Sequence, residues 1–203
     1  MKLFASLTAV LLATVSFAIA APIGPEVAVI QIKIGKDKQL RTVVIGFNDE
    51  DAPITVANFK ELARKRYYDG LKFHRVFPGS LVQGGDPRTR WYKRSDKVGT
   101  GGPDFTLPAE IKLKHNRGSI AMSRLPNHIN PSKASNGSQF YICLEPMPKL
   151  DGEYTVFGEV LEGLDILDEI SSLPTNSNDF PLANVVIKSI KILPRFSEQP
   201  ARP

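Results

Sequence analysis

The sequence predicts a mainly β protein in which many short strands are combined with only two helices. Apolar and polar residues alternate over several short runs, and links rich in glycine and proline separate those runs. Apolar residues recur at helical spacing in only two segments. Because so many short strands must cover their edges, this pattern favours a closed antiparallel barrel or a sandwich.

The strand predictions begin with a hairpin near the start of the chain. Residues 27–34 read VAVIQIKI and alternate between apolar and polar, the link GKDK suits a turn, and residues 40–47 continue the β pattern. The chain therefore opens in β structure. Further strands are predicted at residues 71–77, 80–83, 118–122, 138–144, 154–160 and 184–193.

Two segments predict helices. The first begins near Asp51, with Pro53 in its first turn and either Asp51 or Thr55 as its cap. Gly70 is expected to end this helix, because glycine readily takes the left-handed conformation of a helix C-terminus. The second helix is shorter and covers residues 164–170, where apolar residues stand three apart.

The first twenty residues differ from the rest and predict a secretory signal. Lys2 gives a positive start, residues 3–19 are largely apolar, and the chain reads Ala-Ile-Ala before a cut after Ala20. The alternative is a membrane anchor, because the apolar run is about as short as a spanning helix can be. With the signal removed, we expect an exported protein, periplasmic or secreted and not inserted in a membrane. Residues 21–203 would form one domain, with a core at about residues 26–193.

Composition sets limits on the partners of the mature chain. The 203 residues are 42% hydrophobic and 23% charged, which suits a single globular domain more than two. Loss of Lys2 lowers the net charge from +5 to +4, and the basic residues are largely scattered, so nucleic-acid binding is not expected. The single cysteine, Cys143, cannot form an internal disulfide and is expected in the core. Export without disulfides indicates a bacterial envelope or secreted protein.

Three strand segments place polar and apolar side chains on a common face. Period-two alternation puts Phe73, Arg75 and Phe77 together, with His74 and Val76 on the opposite face. The same alternation gives two further mixed pairs, Leu81 with Gln83 and Gln139 with Tyr141. Such a mixed surface suits the binding of a peptide.

Several other chemistries find no support in the sequence. The three histidines, His74, His115 and His128, fall in unrelated segments without ligand spacing, so no metal site is expected. The string GTGGP lacks the Lys-Ser/Thr ending of a phosphate-binding loop, and GSLVQG lacks the surroundings of a nucleophilic serine. We therefore expect no cofactor.

Short motifs follow one another in a fixed order along the chain: FHRV at residues 73–76, QGGD at 83–86, GTGG at 99–102, GSQFYI at 137–142, LDG at 150–152 and VFG at 156–158. Each string alone is weak, but the ordered set resembles the cyclophilin family of peptidyl-prolyl cis-trans isomerases over about residues 26–193. This resemblance implies an eight-stranded antiparallel β-barrel closed by two α-helices, with a proline-binding groove on its outer wall.

The resemblance also implies the site residues and the function. Arg75 and Gln83 are the expected catalytic residues. The expected substrate-binding residues are Ser80, Leu81, Ser123, Arg124, Gln139, Tyr141, Leu150 and Tyr154. The implied enzyme needs no cofactor, acts as a monomer on proline-containing peptides, and assists the folding of unfolded exported proteins.

Three departures from the family pattern bear on this expectation. Most members carry Phe-Met where this chain has Ser80-Leu81, so an aromatic wall of the proline pocket is missing. Lys149 occupies the place of a tryptophan in cyclosporin-sensitive members, which predicts weak binding of that drug. Residues 125–136 lengthen a loop that could cover the groove or add a partner surface. The loss at Ser80 leaves open an alternative function, a non-catalytic proline-peptide-binding or chaperone module.

Overall fold

The structure is a computed structural model that describes residues 22–91 and 97–195. The predicted signal segment and its cut after Ala20 lie outside these residues. The described strands are β1 (Glu26–Ile34), β2 (Arg41–Phe47), β3 (Arg75–Phe77), β4 (Leu81–Gly84), β5 (Thr106–Leu107), β6 (Ser119–Met122), β7 (Ser135–Asn136), β8 (Phe140–Cys143), β9 (Val156–Glu162) and β10 (Val185–Pro194). The described helices are α1 (Pro53–Arg64), α2 (Leu164–Ser171) and the short 3-10 helices Pro87–Arg90 and Pro148–Leu150.

Eight strands form one antiparallel sheet in the order β10-β1-β2-β9-β6-β8-β4-β3, and β5 pairs with β7 separately. The mainly β prediction with two α-helices is therefore confirmed. The predicted closure of the barrel is not confirmed, because within the described residues no strand ladder joins the sheet edges β3 and β10. Only a bridge between Lys72 and Val186 and a few backbone hydrogen bonds, such as Phe73 N to Val185 O at 3.0 Å, connect them. The chain meets β10 before β3 begins, so the pairing stays short.

The concave side of the sheet holds the main core, and an aromatic group lies at its centre. Phe59 of α1 packs against Phe47, Phe140 and Phe157, with ring centroids 5.4 to 5.8 Å apart. All four rings are fully buried. Because tilted and edge-to-face contacts at such distances add to the apolar burial, these rings fix α1 against the sheet.

A second, smaller apolar cluster covers the other side of the sheet. Its buried members are Ala121, Tyr141, Cys143 and Val156, which come from the adjacent strands β6, β8 and β9. Cys143 is buried as expected, and burial raises the pKa of its thiol to about 12. We refer to these four residues and the side chains packed on them as the outer cluster.

Both ends of α1 differ from the prediction. Neither Asp51 nor Thr55 caps its start, since the cap position is Ala52 and makes no side-chain hydrogen bond. Instead, Glu110 accepts hydrogen bonds from the backbone N–H groups of Ile54 and Thr55 at 3.0 and 2.8 Å. A carboxylate from a distant segment therefore satisfies two of the free donors that every helix start presents.

The helix ends at Arg64 and not at Gly70. Arg66 takes the left-handed conformation, with φ of 58°, and its backbone N–H donates to Ala63 O. Gly70 also has a positive φ, 81°, but it lies in the turn that leads to β3. Among the helices of residues 22–91 and 97–195, none is long and apolar enough to cross a membrane. The alternative of an anchor at residues 3–19 lies outside these residues.

Candidate active site

Strand register brings the polar residues of distant motifs into one row. Arg75 of β3 lies opposite Gln83 of β4, Gln83 opposite Tyr141 of β8, and Tyr141 opposite Ala121 of β6. Directly paired residues of antiparallel strands point to the same face of a sheet, with their Cβ atoms roughly 5 Å apart. The row therefore carries a guanidinium, an amide and a phenol side by side across the outer face.

Arg75 stands at the exposed end of this row. Its side chain is 51% exposed, and its Nε lies 3.6 Å from Oδ2 of Asp179. Its guanidinium carbon lies 4.7 Å from the centre of the Phe77 ring, a distance at which a cation is attracted to the ring. Asp179 is itself placed by the backbone, because Val76 N donates to Asp179 O at 3.0 Å. The guanidinium is therefore oriented but still accessible.

The alternation predicted around Arg75 is confirmed in part. Arg75 and Phe77 face outward and Val76 faces the core, as expected. The prediction for Phe73 is wrong, because this residue is fully buried in the main core and does not lie beside Arg75. The reason is that β3 begins only at Arg75, so the strand period does not extend back to residue 73.

The two glutamines are joined to each other and to a glycine-rich loop. Gln83 Nε2 donates to Gln139 Oε1 at 3.0 Å and approaches the Ser123 hydroxyl at 3.4 Å. Both hydrogens of the buried Gln139 amide are used, because its Nε2 donates to Gly99 O at 3.0 Å and Gly101 O at 2.7 Å. Gln139 is thus placed as an anchor for Gln83, and Gln83 is the glutamine that lies in the row with Arg75.

The loop at residues 99–102 is held by a buried carboxylate. Asp86 Oδ2 accepts from Gly99 N at 2.5 Å and Gly101 N at 3.1 Å, while Oδ1 accepts from Arg88 N at 2.7 Å. A Cβ atom at Gly101 would overlap the Asp86 carboxylate, so this close approach requires glycine. The GTGG string is therefore a structural turn that supports Gln139.

Next to the row, the outer cluster offers an apolar surface. Leu81, Met147, Leu150 and Tyr154 are half-buried and pack on the buried members of the cluster. The Tyr154 ring stands edge-on to Tyr141, with centroids 5.8 Å apart. Four of the predicted substrate-binding residues, Leu81, Tyr141, Leu150 and Tyr154, are thus brought together.

Ser80 lies at the border of this apolar surface. It occupies the turn between β3 and β4, where its N–H donates to Phe77 O at 3.0 Å and its carbonyl accepts from Leu144 N at 2.7 Å. Lys149 is exposed in the 3-10 helix that carries Leu150. At these two positions the surface therefore carries one small and one charged side chain.

Ser123 and Arg124 border the site but are largely engaged within the protein. Ser123 N donates to Gln139 O at 2.9 Å, and its carbonyl accepts from Asn136 N at 2.8 Å. The Arg124 side chain is only 4% exposed and donates to Glu153 through Nε and Nη2, at 2.7 and 2.8 Å. Its guanidinium carbon lies 4.7 Å from the centre of the Tyr154 ring. Arg124 therefore fixes Tyr154 and does not present a free charge.

A polar relay that begins at Tyr141 of the outer cluster was not predicted from the sequence. The Tyr141 hydroxyl lies 3.0 Å from His115 Nε2, and His115 Nδ1 lies 2.9 Å from Asp151 Oδ1. Burial raises the pKa of Tyr141 well above its usual value. Burial also raises the pKa of Asp151, but hydrogen bonds from His115 outweigh this and hold it below its usual value. The relay members are far apart in sequence, so only the register of Tyr141 could have pointed to them.

No group of three or more histidine, cysteine, aspartate or glutamate side chains lies close enough to hold a metal ion, as far as residues 22–91 and 97–195 show. The polar groups of the site are amides, a guanidinium and hydroxyls. The arrangement can bind a polar backbone and an adjacent apolar ring, and it can donate hydrogen bonds to them.

Comparison with known families decides among the functions that fit this geometry. Residues 29–192 match the family model "Cyclophilin type peptidyl-prolyl cis-trans isomerase/CLD". The chain belongs to this family. As a cyclophilin, it is a peptidyl-prolyl cis-trans isomerase, so the enzyme prediction is confirmed.

Individual relatives agree with this assignment. The chain is 44% identical over 119 residues to a peptidyl-prolyl cis-trans isomerase of Synechococcus elongatus, covering 58% of this chain and 72% of that protein. It is 42% identical over 126 residues to peptidyl-prolyl cis-trans isomerase B of Bacillus subtilis, with 61% and 78% covered.

Solved structures of this fold are also similar. A cyclophilin-type isomerase of Cryptosporidium parvum superposes with a TM-score of 0.70 at 26% identity, covering 84% of this chain and 98% of that one. The structure of the same protein in the presence of the dipeptide Ala-Pro gives a TM-score of 0.66, covering 83% and 99% of the two chains. The fold of the cyclophilins is therefore confirmed for this chain.

Proposed function

We propose that Arg75 and Gln83 catalyse rotation about X-Pro bonds in polypeptides bound on the outer face of the sheet. The observation that carries this assignment is the row in which register places Arg75 beside Gln83 and Gln83 beside Tyr141. It sets an accessible guanidinium next to an amide and an apolar surface. The bound group would be a prolyl ring with its flanking backbone.

The reaction explains why these side chains suffice. Rotation about a peptide bond breaks amide resonance, with a barrier of roughly 18–20 kcal/mol, and uncatalysed X-Pro bonds rotate in roughly tens to hundreds of seconds. No covalent bond is formed and no proton is transferred. An enzyme needs only to bind the twisted amide more tightly than either planar form.

The twisted amide differs from the planar forms at the prolyl nitrogen. When resonance is lost, this nitrogen becomes pyramidal and gains a lone pair, to which the Arg75 guanidinium can donate. Gln83 would hold the flanking backbone, while Leu81, Tyr141 and Leu150 receive the ring. A preorganised donor of this kind contributes about 3–4 kcal/mol, which corresponds to roughly a hundred- to thousandfold in rate.

Substitution of Arg75 tests this assignment. We expect Arg75→Ala to lower kcat/KM for an Ala-Pro tetrapeptide by roughly a hundred- to thousandfold, measured as catalysed cis-to-trans conversion. Arg75→Lys should recover only a small part of this loss, because an ammonium lacks the planar fork of a guanidinium. Lys188→Ala, which removes an exposed positive charge on β10, serves as the matched control. Wild-type activity in Arg75→Ala would show that the assignment is wrong.

We also infer the cellular setting of this activity. The positive start at Lys2, the apolar residues 3–19 and the small residues before Ala20 support export, followed by periplasmic or secreted residence. The free Cys143 is buried, with its thiol pKa raised to about 12, so it is protected from oxidative pairing. In this setting a monomeric domain of residues 21–203 assists the folding of exported proteins.

We further infer that the barrel closes at the bridge between Lys72 and Val186, where the two edges of the sheet meet.

A further inference from the structure

We infer that the loop of residues 125–134 presents a second, apolar contact surface to the substrate polypeptide, outside the prolyl pocket. Leu125 and Ile129 are 57% and 60% exposed, and both belong to this one loop. Large apolar side chains exposed beside a binding site mark an interaction surface. The inference deepens the proposed function, because it takes the bound polypeptide as the partner.

The loop is continuous with the site on the outer face. Its two ends are paired, since Asn136 N donates to Ser123 O, and the Ser123 hydroxyl lies 3.4 Å from Gln83 Nε2. Arg124 forms a second connection, with its guanidinium over the Tyr154 ring and its Nη1 bonded to Leu125 O at 2.8 Å. A polypeptide that leaves the prolyl pocket past Tyr154 therefore meets Leu125 next.

Glu153 holds the loop in a fixed position. Its carboxylate accepts from Arg124 Nη2 and from Lys133 Nζ, both at 2.8 Å, and more weakly from Asn127 Nδ2 at 3.3 Å. Hydrogen bonds from Lys133 and Asn127 hold the pKa of Glu153 below its usual value. Two points of the loop, Asn127 and Lys133, and the preceding Arg124 are thus tied to one residue adjoining Tyr154. A loop whose backbone is held in place before binding loses little conformational entropy when a partner arrives.

A second network closes the tip of the loop. Asn130 Oδ1 accepts from Ala134 N at 3.2 Å and from the Ser132 hydroxyl at 2.9 Å, and Asn130 Nδ2 donates to Ala134 O at 2.8 Å. Ile129 N donates to Pro126 O at 3.0 Å within the same turn. The exposed apolar side chains therefore stand on an ordered turn.

Charge identifies the kind of residue that the loop accepts. The two cationic side chains of residues 124–134, Arg124 and Lys133, both pair with Glu153, so they offer no free charge to an acidic partner. What the loop offers is apolar area at Leu125 and Ile129. The occupant is therefore an apolar residue of the bound polypeptide itself, near its prolyl residue. Such residues are abundant in chains that have not yet folded.

A comparison of two peptides tests the inference. Both carry a central Ala-Pro and are extended on both sides, one with serines alone and one with leucines among the serines. We expect the double variant Leu125→Ser/Ile129→Ser to raise KM for the leucine peptide by about three- to tenfold, because part of an apolar side chain is no longer buried. Its kcat/KM for the serine peptide should stay unchanged. The control is Leu40→Ser/Leu193→Ser, which alters two equally apolar exposed residues elsewhere.

The outcomes separate this inference from the proposed function. Equal kinetics of the double variant and the wild type on both peptides would overturn the inference while the enzyme remains active. Equal losses on both peptides would overturn it too, because the loop would then act on the pocket and not on a flanking residue. If sedimentation shows that the loop residues instead join two copies of the chain, the inference is also wrong. A wild-type protein inactive on both peptides would refute the catalytic assignment instead.

Discussion

The hydroxyl of Tyr141 gives the apolar outer cluster a fixed polar anchor. A carboxylate accepts hydrogen bonds only, so Asp151 requires the proton of His115 on Nδ1. His115 Nε2, on the other side of the ring, forms a hydrogen bond of 3.0 Å with the Tyr141 hydroxyl. These two hydrogen bonds fix the Tyr141 ring in the surface that would receive proline.

Replacement of this hydroxyl tests the relay. Tyr141→Phe leaves the buried His115 Nε2 without a partner, which should lower the free energy of unfolding by about 1–3 kcal/mol in urea. The ring remains, so kcat for an Ala-Pro peptide should change little, while KM should rise because the ring is less firmly held. Tyr154→Phe, at a half-buried ring on the same surface, is the control. An unchanged stability of Tyr141→Phe would show that the relay does not act as described.

At the residue scale, sequence reasoning located those residues whose positions follow from strand period. Arg75 and Gln83 lie on the outward face as alternation requires, and register joins them. His115 could not be found in this way, because its contacts with Tyr141 and Asp151 depend on how segments outside the strands pack. The bond between Arg124 and Glu153 joins residues that are 29 positions apart, so no local pattern in the sequence could indicate it.

The start of helix α1 depends on a residue from another part of the chain. Glu110 accepts from two backbone N–H groups, Ile54 N and Thr55 N, whereas local capping by Asp51 or Thr55 was expected. No local pattern could predict this, because the partner lies 55 or 56 residues away. A helix start held from a distance ties the stability of α1 to the strands around Glu110.

We therefore expect Glu110→Ala to destabilise the whole protein. Loss of a capping carboxylate costs about 1–2 kcal/mol, partly through lost hydrogen bonds and partly through lost interaction with the helix dipole. Glu110→Gln should fall between the wild type and Glu110→Ala, because an amide oxygen can still accept one bond. Denaturant midpoints measure the effect, with Glu162→Ala as an exposed control. If both substitutions at Glu110 match this control, the distant cap has no energetic role.

At the scale of the whole molecule, His74 makes stability depend on pH. Burial lowers the pKa of His74 from its ordinary 6.5 to about 4, against the opposing attraction of Asp86 and with a smaller contribution from Arg75. Neither ring nitrogen has a hydrogen-bond partner of normal geometry in the described parts of the chain. The folded protein therefore keeps this histidine neutral at pH values where the unfolded chain already binds a proton.

The sign of the pH effect follows from this difference. As the pH falls from about 6.5 to about 4, the unfolded state takes up a proton that the folded state refuses, so the free energy of unfolding decreases. The full loss is about 3 kcal/mol at 1.36 kcal/mol per pKa unit. His74→Phe should remove this part of the decrease. The contribution of the carboxylates to the loss of stability at low pH should remain. Urea unfolding at pH 7, 5.5 and 4 measures it, and parallel pH profiles of the two proteins would contradict the expectation.

The overall fold was predictable from sequence to the level of its strands, but not to their closure. Every strand of the large sheet coincides with a segment whose alternation or apolar character predicts it. The short pair β5 and β7 was missed, because strands of two residues carry no period. Whether residues 70–73 form a ladder or a bridge with β10 depends on backbone hydrogen bonds, on which side-chain patterns give no information.

Strand β1 lies between β2 and β10 in the sheet, and Glu26 at its start pairs with Pro194 at the end of β10. During synthesis, β1 therefore cannot complete its pairing until β10 has been made. Until residues 185–194 emerge, one edge of β1 has no partner and can pair with other chains. A chain interrupted before β10 would expose that edge permanently. We therefore expect such a truncated chain to aggregate more readily than the full-length chain.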